Sequence, residues 1–227
     1  MPKRGDVLSH HEMCAVEGKM LQQGMNFRSN PSYSVVLMSQ RPNAPYPDRI
    51  SEDGLQLFYI GHDAYGHPSK GQIDQPLATS NGTLTPNGHF FRAVAASDSG
   101  HPRERVRVYE KLKPGVWVFV GTFALSDAKL VPAGDRLVCE FRLDLLDIDD
   151  EAAAGRELAP SPGRLIPTVV KVEVWARDKG MCAVCGSKEN LHFDHIIPFS
   201  LGGSSTNAQN IQLLCQAHNL AKSDRIE

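Results

Sequence analysis

Across the first 143 residues apolar and polar positions alternate in short runs: SYSVVLMS, LQLFYI, HFFRAVAA, RVRVYE, GVWVFVGTFAL and RLVCEFRL, each bounded by Gly, Pro, Asn or Asp. Runs of this length, rich in β-branched and aromatic residues, predict strands, so residues 1–143 read as an all-β or β-rich domain. Ser9 followed three positions later by Glu12 fits a capping box and predicts one helix near the start. The pattern then breaks at DIDDEAAAGRELAPSPGRLIP, whose acidic, alanine and Pro/Gly character marks 144–165 as an interdomain linker. In residues 166–227, VVKVEVWARDKG predicts a short helix, SKENLHFDHIIPFS a hairpin, and NAQNIQLLCQAHNLAKSD a mostly helical segment. The fold class expected is α+β, a β-domain followed by a much smaller second unit.

Apolar residues make up 41% of the 227 positions, enough for one sizeable core and a small satellite. No run approaches the roughly eighteen apolar residues of a membrane span, and MPKRGDVLSHHEMCAVEGKM lacks the apolar centre of a signal peptide. A soluble, cytoplasmic protein without a membrane partner is expected. The formal charge of −2 is unevenly spread: residues 1–143 carry 16 Lys/Arg against 14 Asp/Glu, 166–227 carry 6 against 6, and 144–165 carry 2 against 6. The folded parts are therefore neutral to mildly basic, a balance that permits nucleic-acid binding without demanding it.

Five cysteines, an odd number that includes the close pair Cys182 and Cys185, point to metal rather than disulfides. Cys215 and His218 repeat the two-residue spacing, and the two pairs together can hold one tetrahedral Zn²⁺. The 29 residues between the pairs exceed the usual zinc-finger gap, so something else is built inside the clamp. A unit of about 60 residues also needs such a staple because its own core is small.

Inside the clamp, FDHIIPFSLGGSSTNAQN resembles the HNH, or ββα-metal, nuclease family through Asp194, His195, Ile196, Pro198, Gly202, Gly203, Asn210 and Asn219. The resemblance covers residues 175–225 and implies phosphodiester hydrolysis. A neutral imidazole suits the task of deprotonating water near pH 7, which falls to His195. Asp194 and Asn219 offer oxygen ligands for a catalytic Mg²⁺ or Mn²⁺, and Asn210 is expected to orient His195 through its other ring nitrogen. Neighbouring strand residues point to opposite faces, so Asp194 and His195 can share one site only at a bulge or a strand end. Lys222 is a phosphate contact or a solvated helix position, and His192 reads as an exposed strand residue.

The segment FRSNPSYSVVLMSQRPNAPYPDRISEDGLQLFYIGHDAY resembles the SRA family, a PUA-like β-barrel whose members flip a modified cytosine out of duplex DNA. By that resemblance Tyr46 and Tyr59 are the two rings that stack on the flipped base, Asp48 accepts from its exocyclic amine, and backbone groups near Met38 and Ser39 read the remaining edge. DQPLATSNGTL resembles a further stretch of the family. Lys70 or Gln72 is the candidate plug for the vacated space. Arg103, Arg105 and Arg107 alternate onto one strand face that tracks phosphates or faces solvent, and Trp117 and Phe119 read as core. His62 and Asp63 follow Gly61 in a loop and carry no assignment.

Together these features resemble the SRA-HNH modification-dependent (type IV-like) restriction endonucleases of bacteria. The resemblance implies double-stranded DNA carrying 5-methylcytosine or 5-hydroxymethylcytosine as partner, structural Zn²⁺, catalytic Mg²⁺ or Mn²⁺, and a homodimer or two binding events for double-strand cleavage. A flexible linker implies a cut offset from the modified base. Two other readings stay open: an HNH nuclease with a PUA-like reader for N6-methyladenine or glucosylated cytosine, and a non-catalytic DNA reader with a structural zinc knuckle.

Overall fold

The computed structural model describes residues 1–40, 46–146 and 165–222, with the side chain of Ser200 left aside. The chain begins with strand β1 (Val7–Leu8), helix α1 (His10–Glu17) and strands β2 (Met25–Asn30), β3 (Tyr33–Met38), β4 (Arg49–Ile50) and β5 (Gln56–Ile60). Helix α2 (Pro86–Asp98) and the long strands β6 (Arg105–Lys113), β7 (Val116–Ala133) and β8 (Arg136–Leu145) complete the first module. The second contains α3 (Thr168–Arg177), β9 (Leu191–His195), β10 (Ile211–Cys215) and α4 (Gln216–Lys222), with two short 3₁₀ turns between the strands.

The large sheet runs β2-β3-β6-β7-β8-β5-β4, with β1 also paired to β7. Only β3 and β6 are parallel among these pairs. Alternation along β3 sends Val36 and Met38 into a core with Phe90 and Val94 of α2, Leu57, Phe123 and Phe141, while Val35 faces a second cluster with Met13, Tyr109, Trp117 and Phe119. Both faces of the sheet are thus covered, which is why its strands read as near-continuous apolar runs. The Ser9–Glu12 capping box opens α1 as expected, and Gly18 closes it in the left-handed region.

HFFRAVAA is helical, contrary to the strand expected from its apolar run. Thr85 caps α2 by accepting from the Gly88 N–H and Pro86 takes the first turn, where its missing donor costs nothing. Phe90 and Val94, four apart, are its buried large apolar positions, so the spacing is that of a helix. The C-terminal module differs in a second way: LHFDH pairs in antiparallel register with IQLLC, Ile211 opposite His195 and Cys215 opposite Leu191. Within the expected helical segment Ala208–Asn210 is therefore a 3₁₀ turn and Ile211–Cys215 a strand, and the helix starts at Gln216. The arginine row also splits. Arg105 is exposed, whereas Arg107 is buried against Glu17 at 3.1 Å. Of the expected linker, Asp144 and Leu145 belong to β8 and Leu165 is buried in the main core, while 147–164 lie outside the described residues.

The two modules are joined directly by the N-terminal segment. The Gly5 N–H donates to Phe119 O at 2.9 Å and the Phe119 N–H to Asp6 O at 2.9 Å, while the Phe193 N–H donates to Gly5 O at 3.0 Å. Residues 5–8 thus lie between β7 and β9, and Asp6 Oδ1 meets His192 Nδ1 at 2.8 Å. His192, expected to be exposed, is instead part of this seam. Gly5 has φ +95, and a Cβ there would lie 2.8 Å from Phe193 O, so the close approach requires glycine.

Candidate functional site

The β9–β10 hairpin and α4 assemble the C-terminal site. Cys182 and Cys185 flank a turn that follows α3, while Cys215 ends β10 and His218 lies in the first turn of α4. The ligand atoms of all four lie within 4.8 Å of one another. Cys185 Sγ is 3.8 Å from Cys215 Sγ, and His218 Nδ1 is 3.6 Å from Cys182 Sγ and 3.2 Å from Cys215 Sγ. A tetrahedral ion with metal–sulfur bonds of roughly 2.3 Å has sulfur–sulfur edges of about 3.8 Å, the separation of Cys185 and Cys215, so the group could hold such an ion. Burial opposes ionisation of Cys182, but backbone N–H groups of Cys185, Cys215 and Val184 outweigh it and hold the thiol down at about 6.

Asp194 and His195 are the last two residues of β9, so both can serve one site at a strand end. The His195 ring is held by Ser205 Oγ, 2.8 Å from Nε2. Asn210 does not take that role: its Oδ1 accepts from the Ile197 N–H at 2.9 Å, and its Nδ2 donates to Ile197 O and Ser204 O. It braces the 196–204 loop from inside, because that loop presents unpaired backbone groups that only a buried amide with both donor and acceptor can satisfy. Lys222 is neither a solvated position nor an open phosphate contact, being 1% exposed. Its Nζ donates to His195 O at 2.6 Å and stands 2.8 Å from Asp194 Oδ2, close enough for charge pairing but off the axis of a directed hydrogen bond. Asp194 Oδ2 therefore keeps unused acceptor capacity in a buried spot, as a ligand for a hard cation requires. Asn219, half-buried and three residues before Lys222, occupies the same side of α4.

In the first module, Asp48 is buried between β3 and β5. Its Oδ1 accepts from the Ile60 N–H at 2.9 Å and its Oδ2 from the Ser39 N–H at a long 3.4 Å. Burial is the main cause that lifts its carboxyl to about 7, with the two N–H bonds pulling down and the Glu110 charge pushing up. Tyr46 is half-buried, and its hydroxyl donates to Asp63 Oδ2 at 3.2 Å. Met38 lies in the core. Tyr59, expected as the second stacking ring, points inward with Leu57 on the alternating strand β5 and is 3% exposed. Burial, with Asp48 and Tyr46 nearby, pushes its phenol well above the ordinary range, so it backs the spot from the core side.

Sequence reasoning missed the polar frame behind this spot. Asp63 pairs with Arg136 and accepts from Gln75 Nε2, and Asn87 bridges the His62 N–H, His62 O and Pro76 O. Burial pushes the Asp63 carboxyl up, but Arg136, Gln75 and Tyr46 outweigh it and hold it below the usual range. Gln75 lies in the DQPL stretch already singled out, whereas nothing in the sequence marks Arg136 as its neighbour.

A small zinc-type clamp enclosing a strand–loop–strand–helix with an Asp-His pair at the strand end defines a ββα-metal nuclease module. Residues 182–225 match the HNH endonuclease family, and this part of the chain is an HNH endonuclease domain. No curated protein matches the chain in sequence. Solved structures similar to the first module include the SUVH5 SRA domain with fully methylated CG DNA, at 18% identity and TM-score 0.47, covering 64% of this chain and 89% of that one. KRYPTONITE with mCHG DNA and SAH is similar at 16% identity and TM-score 0.45, covering 68% and 34%. The sulfur-binding and SRA domains of ScoMcrA with phosphorothioated DNA are similar at 16% identity and TM-score 0.42, covering 64% and 40%. No helix among the described residues is long and apolar enough to cross a membrane.

Proposed function

We propose that the protein is a modification-dependent DNA endonuclease, in which the first module captures a flipped 5-methylated or 5-hydroxymethylated cytosine and the HNH domain hydrolyses a nearby phosphodiester. The observation that carries this reading is the buried Asp48 carboxyl, held by two backbone N–H groups, in a chain whose residues 182–225 match the HNH endonuclease family. Each carboxyl oxygen takes one backbone N–H and keeps a second lone pair, so Asp48 can still accept from an exocyclic amine. Stacking on Tyr46 returns about 1 to 3 kcal/mol of the unstacking cost.

At the cut site His195, its ring fixed by Ser205, takes the proton from the attacking water. Lys222 ties the His195 carbonyl to Asp194 and so keeps the strand end in one geometry. Asp194 and Asn219 would hold Mg²⁺ or Mn²⁺, which would supply positive charge to the departing oxygen. Cys182, Cys185, Cys215 and His218 would hold Zn²⁺, which would staple the module. One such site cuts one strand, so a double-strand break takes two copies or two binding events.

The test is digestion of matched plasmids bearing cytosine, 5-methylcytosine, 5-hydroxymethylcytosine, its glucosylated form or N6-methyladenine, with Mn²⁺. Cleavage confined to the first two modified substrates supports the reading. Equal cleavage of modified and plain DNA refutes it.

A further inference from the structure

We propose that the seam between the modules is a ruler: residues 5–8 and the Glu110–Lys171 pocket lock the cutting strand onto the reader, so the cut falls at one fixed spacing from the captured base. This rests on the functional reading above. Strand β9, which ends in His195, has β10 on one edge and residues 5–6 on the other, and those residues bond in turn to Phe119 of β7. An unbroken series of backbone hydrogen bonds therefore runs from the reader's sheet to the strand carrying Asp194 and His195.

A second attachment lies at the start of α3. Lys171 Nζ meets Glu110 Oε2 at 2.5 Å, and the two residues are 4% and 0% exposed. The Thr168 hydroxyl sits between Glu110 Oε1 and Gln40 Oε1, and Gln40 Nε2 donates to Asp48 O at 3.1 Å. The wall of the base spot is thus itself one of the anchors. A third attachment is apolar, Leu112 and Val118 of the reader packing with Ile166, Val170 and Phe193. Sliding the modules would leave buried charges without partners and would break the apolar attachment. All of these contacts are made by residues outside 147–164. A nuclease held only by a flexible tether would instead sample a range of phosphates.

The experiment maps cut ends at single-nucleotide resolution on an end-labelled duplex with one modified cytosine. The unmutated protein is expected to cut at one dominant position per strand. Gly5→Val, which drives a side chain into Phe193 O, and Val170→Ala, which thins the apolar attachment, should spread the ends over several positions while preference for the modified duplex and zinc content persist. Products at one unchanged position in both variants overturn the ruler, as does an unmutated protein that already cuts over a range. A folding-safe arm joins the facing residues by Asp6→Cys with His192→Cys. The oxidised, locked form is expected to cut as fast as the unmutated protein given the same treatment, at the same position; inactivity that reduction reverses overturns the proposal. Equal cutting of modified and plain duplex by the unmutated protein is the separate result that defeats the functional reading instead.

Discussion

Replacing Asp48 with Asn should make the protein's stability less dependent on pH. Burial raises the folded-state carboxyl from 3.8 to about 7, so between these values the folded chain binds the proton and the unfolded chain does not. Stability from this group is therefore full at low pH and is lost as pH rises towards 7. Integrating the proton difference from pH 5.5 to 8.5 gives about 1.5 protons times pH units, or about 2 kcal/mol lost over that window. For a chain of this size that corresponds to roughly 4 to 8 °C in the melting midpoint. Urea melts of the two proteins at pH 5.5, 7 and 8.5 measure the effect. Asp48→Asn should gain on the unmutated protein by about 2 kcal/mol between the two extremes. Parallel pH dependence in both would refute the buried carboxyl and with it the polar spot proposed to read the base.

Other outcomes follow from the HNH domain. His195→Ala should lower nicking by about 10²- to 10⁴-fold, read on a supercoiled plasmid, with DNA binding and zinc content unchanged. His218→Ala or prolonged chelation should release the structural metal and leave residues 182–222 open to proteolysis, whereas Asn219→Ala should keep the metal and slow cutting. Ser205→Ala should cost about 10- to 100-fold in rate and shift the pH profile of cutting, since the ring loses its orienting partner. Lys222→Met should destabilise the module by about 1 to 3 kcal/mol in chemical denaturation, because the His195 carbonyl and Asp194 lose their buried partner.

The sequence was most informative where chemistry dictates spacing. Four candidate metal ligands in two pairs can be read without coordinates, and the structure brings the same four together. It was least informative where a residue's partner comes from a distant strand. Asn210 resembles an orienting group until the loop it braces is seen, and Ser205 looks like one more polar loop residue until the hairpin brings it to His195. Tyr59 illustrates a third case. Alternation along LQLFYI distinguishes two faces but does not say which one meets the core, and packing with Leu57 settled the matter inward. HFFRAVAA failed for a simpler reason: a short apolar run fits either period, and the Thr85 cap with Pro86 was the signal that decided it.

The N-terminal seam has a consequence for the order in which the molecule is completed. Asp6 waits for a partner 186 positions further along the chain, one of the longest separations the fold contains. Contacts so remote form late, after local hairpins and helices have paid for loop closure. During synthesis the reader's sheet can assemble while the strand that bears His195 has not yet left the ribosome. A half-made chain therefore carries the large sheet without the strand that bears Asp194 and His195, and the seam closes only when that strand arrives.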